Sequence, residues 1–323
     1  MKQKQGLLKG LPGQVRKILS VYVTFFLFFV ATVAVDPQIF SSGNRLWSLS
    51  LQYAPLMLCA MSQAACMLVG GINLALGTAM SLMTAVCATT MAPGALGMVQ
   101  GIVCTLGAGA LVGLIMGVVV VYGRLPDIIV TLAFSYIWKG VALTVLPSPG
   151  GYVNPDFTAF LSGGSFFPPA IVIVALSLLL WKLFKTTKPG LDIYAVGGNP
   201  RAAYESGLNV QRAKLTAYLV SGVFLGIAGL LLTGQISSGD PTIGVSYQMN
   251  SVAAAVLGGV SFLGGVGQMK GAVMGAFIFT ALVNLLFFTG MNAFWQYVVQ
   301  GLILIAAIGF KAISYYRKGG DRA

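Results

Sequence analysis

The chain has 323 residues, of which 57% are hydrophobic and only 8% are charged. A soluble globular domain carries about 25% charged residues, so this composition excludes an ordinary soluble protein. The 19 Lys and Arg residues outnumber the 7 Asp and Glu residues, which gives a net charge of +12. Because the charges stand at the ends of apolar runs, they indicate membrane topology and not a nucleic-acid-binding surface.

Apolar runs follow one another along the chain, and several reach the length of about 20 residues that crosses a bilayer as a helix. We predict an all-α, polytopic membrane protein with about ten transmembrane helices. The spans are predicted at residues 18–35, 48–69, 72–91, 97–122, 127–146, 167–184, 214–234, 250–264, 271–289 and 295–313. A basic segment (1–17) then precedes a single transmembrane domain (18–313), and a short tail (314–323) follows it.

The distribution of basic residues predicts the orientation. An even number of spans places both termini on the same side of the membrane. With a cytoplasmic N-terminus, all of the 19 basic residues except Arg45 and Lys139 fall in cytoplasmic segments or, for Lys182, Lys214 and Lys311, at the cytoplasmic ends of spans. This asymmetry satisfies the positive-inside rule, so we expect both termini in the cytoplasm.

The long cytoplasmic segment 185–213 contains the clearest helix signals of the chain. Asn199 is a preferred N-cap residue, and Pro200 fits the first helical position. Gly207 can adopt the left-handed conformation that ends a helix. These signals predict a helix over 200–206, which is too short to be stable unless it packs against protein.

Small residues repeat at every fourth position in several spans. This spacing allows two helix backbones to approach closely inside a membrane, and we interpret it as internal packing rather than as a dimer seam. The repeats are Gly109, Gly113 and Gly117, then Gly222 and Gly226, and then Gly271 and Gly275.

Two short stretches resemble each other: LVGGINLALG at 68–77 and VLGGVSFLGG at 256–265. In this alignment the paired glycines coincide, and Asn73 lies opposite Ser261. Paired glycines beside a polar side chain are typical of a broken or re-entrant helix, whose freed backbone groups must face protein or water. Interrupted helices in corresponding halves of a chain often mark a transport site.

Several residue types and motifs that particular functions require are missing from the sequence. The chain has no histidine, and the predicted spans carry no acid near their middle, which disfavours a proton-coupled transporter. Neither an acid–base pair nor a GxxxxGK[ST] phosphate loop is present, so we expect no enzymatic activity in this chain. We also expect no cofactor and no metal site.

Neutral polar side chains within the spans are candidates for lining a translocation path, and they suit an uncharged polyhydroxyl solute better than an ion. These candidates are Asn73, Gln63, Asn250, Ser251, Ser261 and Asn284. The outer segments are too small to capture a solute but large enough to dock a protein that does. The candidates for docking are Arg45, Asp156 and Asp240.

The run GLDIYAVGGNPRAAYESGLNVQRAKL resembles the cytoplasmic loop of the membrane permeases of ribose-type sugar ABC importers. The stretches GGINLALG, RLPDIIVTLAF and AAAVLGGVSFLGGVGQMKGAVMGA extend the resemblance over residues 45 to 310. In that family the loop contains a coupling helix, which sits in a cleft of a separate ATPase subunit. The resemblance assigns this role to Gly198, Asn199, Pro200, Arg201, Ala202, Ala203, Glu205 and Gly207, with Ala202 and Ala203 as the low-relief face toward the partner.

The resemblance implies a multi-pass permease subunit of the bacterial inner (cytoplasmic) membrane. Its solute would be a small neutral sugar or sugar-like molecule, delivered by a periplasmic or extracellular binding protein. Its partners would be ABC ATPase subunits that use ATP and Mg, a second permease subunit (identical or paralogous), the solute-binding protein and the lipid bilayer, but no nucleic acid.

Two alternatives remain open at this point. The chain could be an ion- or proton-driven secondary transporter of a polar solute. It could also be a non-transporting membrane scaffold or receptor that transmits a signal through the same loop.

Overall fold

The computed structural model describes residues 13–35, 43–163, 167–292 and 294–303, together with residues 305 and 309. Within these ranges the regular elements are α-helices, and the only β-type pairing is an isolated bridge between Gly150 and Gly239. The all-α prediction is confirmed. The C-terminal tail and most of the basic N-terminal segment lie outside the described residues.

The helices follow one another with short connections. In chain order they are α1 (Gly13–Val35), α2 (Gly43–Leu68), α3 (Leu76–Thr90), α4 (Gly94–Gly123), α5 (Asp127–Val145), α6 (Pro155–Ser162), α7 (Pro169–Phe184), α8 (Lys188–Gly198), α9 (Pro200–Glu205), α10 (Val210–Ile236), α11 (Val245–Leu257), α12 (Met269–Phe288) and α13 (294–303).

Among the described residues, five helices are long and apolar enough to cross a membrane: α2, α4, α5, α10 and α12. Helices α7 and α8 pass the same test together, although they meet at an angle of 83°. The chain is therefore a multi-pass membrane protein. The count of about ten spans and the cytoplasmic side of the termini stay predictions.

Helix α2 lies at the centre of the bundle. It packs against α7, α10, α11 and α12 and is buried along most of its length. The Ser62 hydroxyl of α2 donates to the Ser221 carbonyl of α10 at 2.7 Å, so a buried hydrogen bond links these two helices. The last residue of α2, Leu68, is fully buried.

The seam between α4 and α10 is built from glycine. A Cβ atom on Gly109 would lie 2.5 Å from the Gly222 carbonyl oxygen, and one on Gly113 would lie 2.9 Å from Gly222 Cα. Both distances are too short for a real side chain, so the two backbones are in direct contact. The α12 repeat packs on Gly258 in the same way. The interpretation of these repeats as internal packing is confirmed.

The end of the bundle opposite α9, called the far end below, holds a short helix where a turn-rich segment is predicted. In α6, the Asn154 side chain caps the first turn by accepting from the Asp156 amide at 2.9 Å. Phe157 and Leu161 are buried, and both reach the position of Gly234 on α10. This apolar contact explains why the segment becomes helical.

Two predicted spans differ from the observed helices. The span predicted at 250–264 is wrong in its second half, because α11 ends at Leu257 and residues 258–268 are irregular. The span predicted at 72–91 begins late, at Leu76. In both cases a glycine-containing break shortens the helix, as the similarity between the two stretches predicts.

The glycine seam can be tested with two alanine substitutions on α4. Gly109→Ala should lower the stability of the protein by about 1–3 kcal/mol, because the added methyl group overpacks the seam. Gly107→Ala is the matched control, since a Cβ atom there meets nothing within 4 Å. Alanine at that position should be neutral or stabilise the helix by up to about 1 kcal/mol. Thermal unfolding in detergent would measure both, and equal melting temperatures would contradict the seam.

Candidate functional site

Helix α9 begins as its residues predict. The Asn199 side chain accepts hydrogen bonds from the amides of Arg201 and Ala202 at 3.1 and 3.0 Å. Pro200 occupies the first turn, where its missing amide hydrogen costs no helical bond. The predicted helix is confirmed, and its last residue is Glu205.

The end of α9 turns the chain back onto the protein. Gly207 has a φ of +81°, and the Leu208 amide donates to the Ala203 carbonyl at 3.0 Å. Ala203 is 6% exposed and packs with Val196 of α8 and Ala213 of α10. One small side chain therefore seats α9 on both neighbouring helices.

The prediction that Ala202 and Ala203 form a single outward face is wrong. Successive residues of a helix point about 100° apart, and only Ala202 is exposed. Beside it, Tyr204 is 74% exposed, and Arg201 pairs with Glu205 at 3.2 Å in the open. Tyr204 is absent from the predicted site, although an aromatic residue in a short polar loop helix is a signal that indicates a contact surface.

Helix α8 is also absent from the predictions, which place a loop there. Its side chains Ile193 and Val196 are fully buried. Tyr194 lies with its ring centroid 6.5 Å from that of Trp181 on α7. These contacts hold α8 against the bundle, so α9 extends from a fixed support.

The first helix break follows α2. Gly70 has a φ of +81°, and its amide donates to the Met67 carbonyl at 3.0 Å. The Gly71 amide donates to the Cys66 carbonyl at the same distance. This is the hydrogen-bond pattern of a glycine-terminated helix, and it satisfies two carbonyl groups at the end of α2.

Helix α5 supplies the remaining partners for this break. The Thr131 hydroxyl accepts from the Leu74 amide and lies 3.1 Å from the Ile72 carbonyl oxygen. Asn73 is fully buried, and its side-chain oxygen accepts from the Ala75 amide at 3.0 Å. Several of the backbone groups freed by the break are thus paired within the protein, as burial favours.

The second break follows α11 and repeats the pattern. Gly259 has a φ of +91°, and the amides of Gly259 and Val260 each bond back to α11 carbonyls at 3.0 Å. Gly259 therefore corresponds to Gly70, one position away from the predicted alignment. The predicted pairing of Asn73 with Ser261 is wrong by one residue.

The two breaks and the end of α8 meet backbone to backbone. The Gly265 amide donates to the Leu68 carbonyl at 2.9 Å. A Cβ atom on Gly264 would lie 2.6 Å from the Gly197 carbonyl oxygen and 2.9 Å from the Gly70 amide nitrogen. A Cβ atom on Gly197 would collide with the Leu68 carbonyl oxygen. We call Leu68, Gly70, Gly197, Gly264 and Gly265 the glycine junction. Helix α9 begins at Pro200, three residues after Gly197.

The six predicted path residues do not share one exposed surface. Gln63, Asn73 and Ser251 are fully buried, and Asn250, Ser261 and Asn284 are partly buried. The Asn284 side chain bonds to Tyr53 at 3.1 Å and to Gln52 at 3.2 Å. Neither side-chain polar atom of Gln63 has a hydrogen-bond partner among the described residues. Their role in a path stays a prediction.

The three predicted docking residues lie at the far end. Arg45 and Asp156 are exposed. The Asp240 carboxylate accepts from the amide and the hydroxyl of Thr242, both at 2.8 Å, so it stabilises its own turn. The backbone bridge between Gly150 and Gly239 joins the two segments that carry Asp156 and Asp240. Their part in docking also stays a prediction.

Interrupted helices in a multi-pass bundle are common in membrane transport proteins. The model of the family described as "Branched-chain amino acid transport system / permease component" matches residues 46–308. The chain belongs to this family of membrane permeases.

Several relatives are sugar permeases. The galactose/methyl galactoside import permease protein of Salmonella typhimurium is 33% identical, over 93% of this chain and 95% of its own length. The D-allose transport system permease protein of Escherichia coli and the ribose import permease protein of Haemophilus influenzae are each 30% identical, over 89% of this chain and 90% of their own lengths. The resemblance to ribose-type permeases is confirmed. No solved structure matches the chain.

The close packing of the glycine junction can be tested by substituting the two adjacent residues Gly197 and Gly198. Gly197→Ala should force apart the end of α8 and Leu68, and amide exchange in residues 68–71 and 264–266 should accelerate about tenfold or more. Gly198→Ala is the control, because a Cβ atom there meets nothing within 4 Å. Hydrogen–deuterium exchange with mass spectrometry measures both variants, and identical exchange in the two would show that the junction is not closely packed.

Proposed function

We propose that this chain is the permease subunit of an ATP-driven importer, and that α9 receives the movement of the ATPase subunits. The observation that carries the proposal is the glycine junction, since it connects the support of α9 with both helix breaks. Interrupted helices are where transporters of many folds place their solute. A force on α9 would therefore reach the elements closest to the path.

The outward side of α9 suits a close contact with a partner. Ala202 offers little relief, and Tyr204 presents most of its ring. Exposed aromatic residues beside small ones are favoured anchors in protein interfaces. The pair Arg201–Glu205 would form the polar rim of this contact. Gly198, Asn199, Pro200 and Gly207 would shape the helix, while Ala203 would hold it on this chain.

The junction is suited to transmitting movement because its elements meet through backbone atoms and not through flexible side chains. Backbone atoms of Leu68, Gly197 and Gly264 are already at contact distance. A displacement of α8 and α9 cannot be absorbed there by a change of rotamer. Tightly packed elements move between discrete arrangements rather than deform continuously, which favours a two-state switch of access.

The solute we propose is a small neutral sugar or sugar-like molecule. The relatives named above are permeases for galactose and methyl galactoside, allose and ribose. The path candidates are neutral amides and hydroxyls, whereas an amino acid would bring an ammonium and a carboxylate group that need charged or dipolar partners. Asn73, Gln63, Asn250, Ser251, Ser261 and Asn284 are the proposed path residues.

The proposed assembly follows from the two ends of the bundle. The α9 end would face the cytoplasm of a bacterial cell, with two ATPase subunits that use ATP and Mg. The far end would receive a solute-binding protein through Arg45, Asp156 and Asp240. A second permease subunit would complete the path in the inner membrane.

A charge placed on the exposed side of α9 tests the proposal. Ala202→Glu should abolish copurification with the ATPase subunits and ATP-driven uptake, because an unpaired charge buried in an interface costs about 3–5 kcal/mol. The control is Ala159→Glu, the same change at an exposed alanine of α6 at the far end. It should leave copurification unchanged.

Transport assays in reconstituted vesicles distinguish an ATP-driven importer from a secondary transporter and from a scaffold or receptor. Vesicles that contain the complex should accumulate sugar only when ATP is present. Ion-driven uptake by this chain alone would contradict the proposal and indicate a secondary transporter. Binding of a partner without any solute uptake would indicate a scaffold or receptor.

A further inference from the structure

A cluster of buried polar side chains lies beside the first helix break, and none of its residues belongs to the glycine junction. Asp127 begins α5, Tyr218 belongs to α10, and Asn73 lies in the break itself. The Asp127 Oδ2, Tyr218 Oη and Asn73 Nδ2 atoms are all buried, and none has a hydrogen-bond partner among the described residues. Buried polar atoms are nearly always paired in a folded protein, so three orphans in one region require an explanation.

Two of these atoms, Asp127 Oδ2 and Tyr218 Oη, converge on the bare backbone of Gly71. A Cβ atom there would collide with Asp127 Oδ2 and would lie 3.2 Å from Tyr218 Oη. The absence of a side chain at Gly71 is what leaves the carboxylate room to reach the break.

The three unpaired atoms are chemically complementary, although none of them makes a hydrogen bond of normal length and angle here. A carboxylate only accepts hydrogen bonds, while the Tyr218 hydroxyl and the Asn73 amide group can donate. Lys214, one turn before Tyr218 on α10, is close enough for its charge to act on Asp127. One acceptor, two donors and a nearby cation form a set that a small shift of α10 against the break would close.

We propose that Asp127 and Tyr218 are positioning residues for translocation, which bond to each other and hold α10 to the first break in only one of the two access states. In the arrangement described here the two groups face each other at Gly71, close enough to influence each other electrostatically, but Tyr218 Oη makes no hydrogen bond of normal length and angle. Helix α10 starts at Val210, directly after the turn that ends α9, so a movement of α9 would reach Tyr218 through α10. This inference rests on the proposed function, because it needs an α9 that is moved by a partner.

The test compares Asp127→Asn, Tyr218→Phe and the double variant in the reconstituted complex with its ATPase subunits. The readout is the amount of sugar moved per ATP hydrolysed, which a loss of folded protein alone would not change. Each single variant should lower this ratio by roughly fivefold or more, the usual scale of coupling between sites. The double variant should be no worse than the poorer single variant, because both remove the same bond.

Tyr122→Phe is the control, since it removes the same hydroxyl from a tyrosine that is 62% exposed at the end of α4. It should leave the ratio unchanged. Additive losses in the double variant, or a ratio unchanged in both single variants, would overturn the positioning role. Should Asp127→Asn fail to fold, an unchanged ratio in Tyr218→Phe would overturn it as well. If the wild-type chain moves no sugar with ATP, the proposed function itself fails, which distinguishes the two results.

Discussion

The carbonyl group of Leu68, left free where α2 ends, accepts its hydrogen bond from the Gly265 amide of the second break at 2.9 Å. A helix end leaves backbone groups unpaired, and a buried one without a partner costs several kcal/mol. This bond therefore joins α2, the central helix, to the segment between α11 and α12. Because Gly197 packs on the same carbonyl, the end of α8 is subject to the same constraint.

The consequence is a continuous backbone connection from the surface of the protein to its centre. Helix α9 is seated by Ala203 on α8 and α10, α8 ends in the junction, and the junction contains both breaks. The bend of 83° between α7 and α8 lays α8 across the bundle rather than along it. A short helix that is unstable alone becomes the exposed end of a rigid unit, which is what a lever between two subunits requires.

Features set by neighbouring residues were predictable from the sequence. Asn199, Pro200 and Gly207 define α9 through a cap, a fixed φ and a left-handed residue, none of which depends on distant contacts. The existence of the breaks was predictable for the same reason. The alignment of the two breaks was not predictable. The left-handed glycine is the second residue after the helix end in both cases, Gly70 after Leu68 and Gly259 after Leu257. The sequence alone does not show that α2 and α11 end at these two residues.

Features set by tertiary contacts were not predictable. Nothing local distinguishes Ala202 from Ala203, and only the positions of Val196 and Ala213 show which of them is buried. Likewise, Asp127 stands at the edge of an apolar run in the sequence, and its relation to Gly71 and Tyr218 requires three helices to be placed together. Sequence pattern and spacing do not reveal which residues make contacts between elements that are far apart in the chain.

The measurement that tests the rigid unit most directly is a pair of spin-label distances in the assembled complex, with and without ATP. Labels at Leu191→Cys on α8 and Leu263→Cys in the second break, in a chain with Cys104 replaced by Ser, report on the junction; both sites are exposed. A second pair, at Leu263→Cys and Phe160→Cys on α6, reports on the far end. We expect the first distance to stay constant while the second changes. A first distance that changes while the second stays constant would show that the junction does not transmit the movement of α9.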